Sequence, residues 1–402
     1  MQTFHDLYKT LTKAALENKL KEELRKLEKG TFNPYHLGCL LHPEHHSLTI
    51  NDDTSMENAS KNVHANINMD PDFRQDNNVC FNLDDKNLTD VIQTLPILEK
   101  IHEGKHPVYA MIAPAFIGQF SEDVTPGKLR TAFKHLGFAG MVEVALFADI
   151  LTLKEALEFD KAVKTEKDYM LTSCCCPVWL TMCRKAGLME HMPGSVSPMV
   201  ACGRSIKRIH PNAITVFIGP CLAKKAEAKE PDVKDAVDYV LTFQEIQEIF
   251  DIAEINLSNL DEDNREHSST AGRTYAYAGG VSNAVQNCLS KLRPSRSIPL
   301  VYQCADGVTE CKNLIQQVQK GDISANFLEG MGCSGGCVGG PRVLIDSKEG
   351  KNHVEHYGDK AAYDSPAENP YVIALLNRLG YPTVESLLEK DDIFTRDFSN
   401  LI

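Results

Sequence analysis

Residues 108–115 read Val-Tyr-Ala-Met-Ile-Ala-Pro-Ala, a short apolar run that stops at Pro114. A run of this length closed by proline predicts a strand buried on both faces, because proline cannot donate to a sheet ladder. Downstream, Pro126 after Thr125 opens a helix, since its fixed φ and missing N–H suit a first helical position. Met141–Ala148 predicts a second buried strand, and Leu153–Val163 lies in the helix after it. Further strands are expected at Ala213–Ile218 and Leu300–Gln303, with helices at Thr242–Ile252 and Val281–Leu292. Strands alternating with helices point to an α/β architecture.

Toward the N-terminus the texture changes near residue 96. Residues 1–30 predict one helix, whose Lys/Glu-rich stretch 19–29 lies at the surface. Residues 31–90 are polar and rich in Asn and Asp, which predicts irregular or weakly ordered chain. The 402 residues therefore divide into an N-terminal extension, 1–95, and a main unit, 96–402. The net charge of −13 is the opposite of what a nucleic-acid binder carries. The short basic stretch Arg204-Ser-Ile-Lys207-Arg208 reads as a solvated helix face. No apolar run reaches the roughly 18 residues of a membrane helix. The first residues hold acids and no apolar signal core, so a cytoplasmic protein is expected. In such a chain, 13 cysteines point to metal or redox chemistry rather than disulfides.

Three segments concentrate those cysteines. They are Thr172-Ser-Cys174-Cys175-Cys176-Pro177-Val-Trp179, then Gly219-Pro220-Cys221-Leu-Ala-Lys224-Lys225-Ala-Glu227, then Phe327-Leu-Glu-Gly-Met331-Gly-Cys333-Ser-Gly-Gly-Cys337-Val-Gly-Gly-Pro341. Thiolates suit iron–sulfur clusters or zinc, and Cys176, Cys221, Cys333 and Cys337 could supply four. Zinc usually takes two close cysteine pairs, whereas only Cys333 and Cys337 form one here. Glycines around them let backbone approach a bulky group and turn N–H donors toward anionic sulfur. Pro177 and Pro220 hold cysteine-bearing loops where strands end, and Lys224 is placed to donate to an anionic group. Isolated Cys183, Cys202 and Cys288 read as buried structural thiols.

The three segments, in this order, resemble the signature motifs of [FeFe]-hydrogenases, with supporting matches at Ala113-Pro114-Ala115 and Gly279-Gly280-Val281 and in Glu155 and Glu158. The resemblance covers roughly residues 96–402. It implies a two-lobed α/β fold, each lobe a mainly parallel four-stranded sheet flanked by helices, with the cofactor between lobes. That cofactor would be the H-cluster, a [4Fe–4S] cubane joined through a cysteine sulfur to a diiron unit with carbonyl, cyanide and azadithiolate ligands. The resemblance makes Cys176, Cys221 and Cys333 cubane ligands, and Cys337 the fourth ligand and the bridge. Cys175 becomes the proton-transfer thiol, with Glu155 and Glu158 continuing the proton route. Lys224 would hold a cyanide and Met331 would pack by the bridging carbonyl. Pro114, Ala115 and Pro220 would line the cofactor. The implied activity is reversible hydrogen formation with electrons from ferredoxin or a similar carrier, after loading by H-cluster maturation proteins. The alternative is a non-catalytic iron–sulfur scaffold or hydrogen-sensing relative, a class that typically loses the full diiron-binding set.

Several positions depart from the family pattern. Three cysteines stand where two are usual, and the frame set by Pro177 makes Cys174 the extra one. Gly219 replaces the usual Met, and Ala115 a small polar residue. The third motif ends Gly339-Gly340-Pro341-Arg342. The serine expected between the two glutamates falls near Pro193, with Ser195 close by. The first 95 residues hold only Cys39 and Cys80, so no accessory cubane is expected there. Cys39, His42, His45 and His46 crowd together but more often such a set is an unliganded polar loop.

Overall fold

The computed structural model describes residues 4–27, 32, 37, 40–41, 92–265, 267–389 and 393–398. The Cys39, His42, His45 and His46 cluster, Cys80 and most of the polar stretch 31–90 lie outside the described residues.

The chain opens with two helices rather than one, α1 (Phe4–Leu16) and α2 (Leu20–Lys26). Asn18, at φ 57°, makes the break; asparagine tolerates this left-handed conformation. Leu7, Tyr8 and Leu11 of α1 pack with Leu95 and Leu98 of α3 (Thr94–Glu103), a helix that runs across the 95/96 division.

The first sheet contains β1 (Val108–Ile112), β2 (Gly140–Glu143), β4 (Ile214–Gly219) and β5 (Tyr239–Thr242), in the order β2-β1-β4-β5 and all parallel. The second contains β3 (Met170–Leu171), β7 (Phe327–Met331) and β6 (Tyr302–Asp306), also parallel, in the order β3-β7-β6. The expected fourth strand of this lobe is not found among the described residues. The segment leading into β6 is bounded by Pro294 and Pro299, which cannot donate to a ladder, and Val301 and Tyr302 stand exposed.

Helices cover both sheets. On the first-sheet side lie α4 (Pro126–His135), α7 (Pro198–Ile209), α8 (Ala223–Glu227) and α9 (Phe243–Ile252). Local chemistry starts them: Thr125 caps α4 by accepting from Lys128 N at 3.2 Å, and Thr242 forms a reciprocal capping box with Glu245 on α9. Between the sheets runs α5 (Ala145–Ala162), packed on α10 (Thr270–Arg273) and α11 (Gly280–Leu292). It begins inside the stretch expected to be strand, so the strand is only Gly140–Glu143. The reason is burial on nearly all sides: residues 147–157 are all buried, and such a helix has the continuous apolar texture of a buried strand. β6 likewise starts two residues later than Leu300 and runs on to Asp306. The second lobe is completed by α6 (Pro177–Lys185) and α12 (Val308–Lys320), with α13 (Ser347–Asp359) and α14 (Pro370–Arg378) closing the chain.

Candidate functional site

All three cysteine segments follow the carboxyl ends of strands: β3, β4 and β7. In parallel α/β sheets this is where ligands bind, because strand ends open into loops while side chains fill the faces. The loops from the two sheets meet. Gly332 N donates to Cys176 Sγ at 3.3 Å, Lys224 Nζ to the carbonyl of Cys175 at 2.7 Å, and Arg342 N to the carbonyl of Pro220 at 3.0 Å. Each bond joins a different pair of segments.

Glycine permits this approach. Gly336 sits at φ +82° against the backbone of Tyr277 and Ala278, where a Cβ would lie 2.6 Å from Ala278 N. Gly219 explains one departure from the family pattern. A Cβ there would stand 2.7 Å from the Phe217 ring and 3.1 Å from Ala113 Cβ, so a methionine would force these neighbours to move.

The four thiols of Cys176, Cys221, Cys333 and Cys337 converge. Burial raises Cys333, and Cys221, Cys176 and Cys337 raise it further. Burial pushes Cys221 up to about 11 and Cys337 up to about 12, with Cys176 adding to both. Yet no three of these sulfurs lie within 4.8 Å of one another. A single tetrahedral zinc at about 2.3 Å from each sulfur needs tighter gathering. Four soft donors that share a junction without crowding one point suit a cluster of several irons.

Cys175 lies beside this set. Burial raises its thiol strongly, Cys174 raises it further, the Lys224 ammonium opposes, and Cys337 adds to the rise. Lys224 is 8 % exposed. Burial would pull its ammonium down, but Glu227 and the thiols of Cys175 and Cys221 outweigh that and leave it raised. Its partner Glu227 is also buried and accepts from Ser197 Oγ. Pro114 and Ala115 form a 3-10 turn after β1, with Ala115 wholly buried, and Met331 at the end of β7 is 2 % exposed. Cys174 is buried too, with Sγ 3.7 Å from the carbonyl of Val196.

The two glutamates do not form a solvated face. Glu155 is 3 % exposed and accepts from Thr172 Oγ1; Glu158 is half-buried. Burial lifts the Glu155 carboxyl to about 8, against the Thr172 hydroxyl, with Glu158 raising and Lys154 lowering it. A carboxyl raised this far is suited to give and regain a proton near neutral pH. The hydroxyl at Glu158 belongs to Ser195, two residues past Pro193: Ser195 Oγ donates to Glu158 Oε2 at 2.9 Å.

Sequence reasoning assigned no role to Thr172, Lys154, Glu227 or Tyr275. Glu227 had a signal, lying three residues beyond Lys224 on one helical turn. Tyr275 had none. It is buried, its hydroxyl bonds Thr152 Oγ1 at 2.8 Å, and both Glu155 and Cys175 act on it. Cys183, Cys202 and Cys288 are fully buried, as expected of structural thiols.

Known proteins resemble this chain in sequence and fold. Iron hydrogenase 1 of Clostridium pasteurianum is 27% identical over 327 residues, covering 65% of this chain and 57% of the relative. This chain thus spans little more than half the length of that protein. Cytosolic iron-sulfur assembly component 3 of Bos taurus is 24% identical over 318 residues, 65% of this chain and 66% of the relative. The fold matches that of the [FeFe]-hydrogenase from Chlamydomonas reinhardtii, solved as a variant, with a TM-score of 0.58 at 19% identity over 75% of this chain and 97% of the other. The pattern of the family described as "Iron only hydrogenase large subunit, C-terminal domain" matches residues 106–341. More than half of the 402 residues are covered, and the chain belongs to this family of iron-only hydrogenase domains.

Proposed function

We propose that this protein holds an H-cluster between its two sheets and interconverts protons, electrons and molecular hydrogen. The observation that carries the reading is the meeting of the three cysteine loops, with the Cys175 thiol acted on by both Cys337 and the Lys224 ammonium. Cys176, Cys221, Cys333 and Cys337 would hold the cubane, and Cys337 would also tether the diiron unit. The cofactor would supply electron storage and the metal site for hydrogen chemistry; the chain supplies orientation and protons. Lys224, fixed by Glu227 and the Cys175 carbonyl, offers its remaining donor capacity to an anionic ligand. Pro114, Ala115, Pro220 and Met331 shape the walls. Protons would reach Cys175 from Glu158 and Glu155.

A cytoplasmic location, electron delivery by ferredoxin or a similar carrier, and loading by maturation proteins belong to the same proposal. No described helix is long and apolar enough to cross a membrane.

The second reading is an iron–sulfur scaffold, favoured by the similarity to the bovine assembly component. Infrared spectroscopy after loading with the diiron cofactor separates the two. Carbonyl and cyanide bands together with hydrogen turnover are expected; a bare cubane without turnover overturns the hydrogenase reading.

A further inference from the structure

Lys154 stands where two glutamates and a serine meet, yet it is 2 % exposed. Its ammonium donates to Glu158 Oε1, to Ser195 Oγ at 3.0 Å and to the carbonyl of Gly194 at 3.2 Å. A hydroxyl has one hydrogen and two lone pairs. In Ser195 the hydrogen goes to Glu158, and Lys154 occupies a lone pair. Glu155 takes its hydroxyl bond from a different residue, Thr172.

The surroundings prevent the serine loop from moving as a body. Residues 393–398 run alongside it: Ser195 bridges Thr395 in antiparallel fashion, Val196 N donates to Phe394 O at 3.2 Å, and Arg396 N to Gly194 O at 3.0 Å. The Gly194 carbonyl thus serves both Arg396 N and Lys154 Nζ. What remains free to turn is the Ser195 hydroxyl and the end of the lysine chain.

We propose that Lys154 is a positioning residue that locks the Ser195 hydroxyl onto Glu158 and so brakes proton passage from the outer glutamate to the inner one. The proposal rests on the proton route put forward above. For inward passage, a proton on Glu158 must move to Ser195 Oγ while the serine's own hydrogen passes to a Glu155 carboxylate. One O–H bond breaks and one forms at the serine, and no charge is left on it. Lys154 opposes the first half: it fills one of the serine's two lone pairs and pairs with the carboxylate form of Glu158, the form that has no proton to give.

Other titratable groups nearby are Glu155 on the same helix, Cys174 on the first cysteine loop, Tyr275, and Glu329 on β7, which acts on Glu155. Arg396 of the flanking segment is engaged by Glu230 and Asp232.

The test uses Lys154→Met and Lys154→Arg in the full chain. Without cofactor, the protonated-carboxyl stretch of Glu155, identified by its loss in Glu155→Gln, is followed against pH. The Lys154 charge lowers Glu155, so the Met variant should move this transition upward and the Arg variant should restore it. In loaded protein, hydrogen–deuterium exchange catalysis should rise several-fold in the Met variant, most on the alkaline side, and return in the Arg variant. An unmoved carboxyl transition overturns the proposal, as does exchange at or below wild type with normal iron content. Lys154→Gln replaces the Met variant if that fails to fold. A moved transition with no exchange activity in any loaded variant, wild type included, would sink the hydrogenase reading while leaving the lysine lock in place.

Discussion

Among the described residues, Cys304 lies in β6 and the other cysteines lie in cysteine-bearing loops or in helices, and the contrast between loop and helix separates chemistry from packing. Cys176, Cys221 and Cys333 lie in loops past the carboxyl ends of strands and Cys337 in a single 3-10 turn of the same segment, each only partly buried and flanked by proline or glycine. Cys183, Cys202, Cys288 and Cys311 lie within helices, and all are fully buried. A helical thiol is held by its own backbone and reaches one neighbourhood; Cys311 Sγ, for example, bonds the carbonyl of Met331 at 3.5 Å. A loop thiol can be brought to a shared point by chain that no ladder or helix constrains. Burial raises thiols in both settings, so acidity does not tell them apart; convergence does.

The sharpest test of this contrast is Cys337→Ala. A protein with a complete cofactor should hold about six irons, and this variant should lose the two beyond the cubane, since non-bridging contacts cannot replace an iron–sulfur bond. Retained carbonyl bands with full turnover would remove Cys337 from the ligand set. Cys176→Ala should instead impair assembly of the cubane itself, read as iron content and cluster absorbance.

Next in size is Cys175→Ala, which stays inside the loop setting but touches no proposed ligand. Iron content should hold while turnover falls on the order of 10²-fold or more, the usual cost of removing a positioned acid–base group. Loss of iron here would shift the frame of the cysteine triple by one residue.

Glu155 predicts a pH effect on stability. Its carboxyl is raised in the folded state from 4.5 to about 8, chiefly by burial, so the native protein binds the extra proton across that interval. Its contribution to stability is present at low pH and is lost as pH rises through about 8. Thermal unfolding should therefore show a shallower decline between these pH values in Glu155→Gln than in wild type. Parallel declines would show that the carboxyl ionises freely in place.

The smallest effects belong to thiols outside the proposed ligand set, one helical and one in the first cysteine loop. Cys183→Ala should leave iron content unchanged and cost about 1 kcal/mol of stability by denaturant titration, as for a small buried truncation. Cys174→Ala, under anaerobic conditions, should change neither iron content nor turnover. Iron loss in Cys183→Ala breaks the division between loop and helix thiols; iron loss in Cys174→Ala shifts the frame of the cysteine triple.

Local chemistry made much of this legible in sequence. The strand at residue 108 was readable because Pro114 ends it, and the helix at Thr242 because a threonine and a glutamate three residues later form a capping box. The cysteine loops were readable because proline, glycine and cysteine at close spacing leave few structural alternatives. The start of α5 reads as strand in the sequence, because a helix buried on nearly all sides has no polar face to reveal its period. The break at Asn18 leaves no mark in the sequence pattern, because it costs a single residue in a left-handed turn.

What sequence alone determined was therefore the list of donors and the elements that carry them: three thiol-bearing loops, a lysine, and two glutamates three residues apart on one helix. Tertiary structure decided which of these meet and in what medium. Only the packing of α5 between the sheets turns Glu155 from an ordinary surface acid into a buried one of raised pKa. Only residues 393–398, some two hundred positions away in sequence, hold the Ser195 loop against Glu158 and Lys154. Spacing along a chain constrains neighbours within a helical turn or a strand, but burial and long-range pairing depend on the closed fold, and proton chemistry depends on burial.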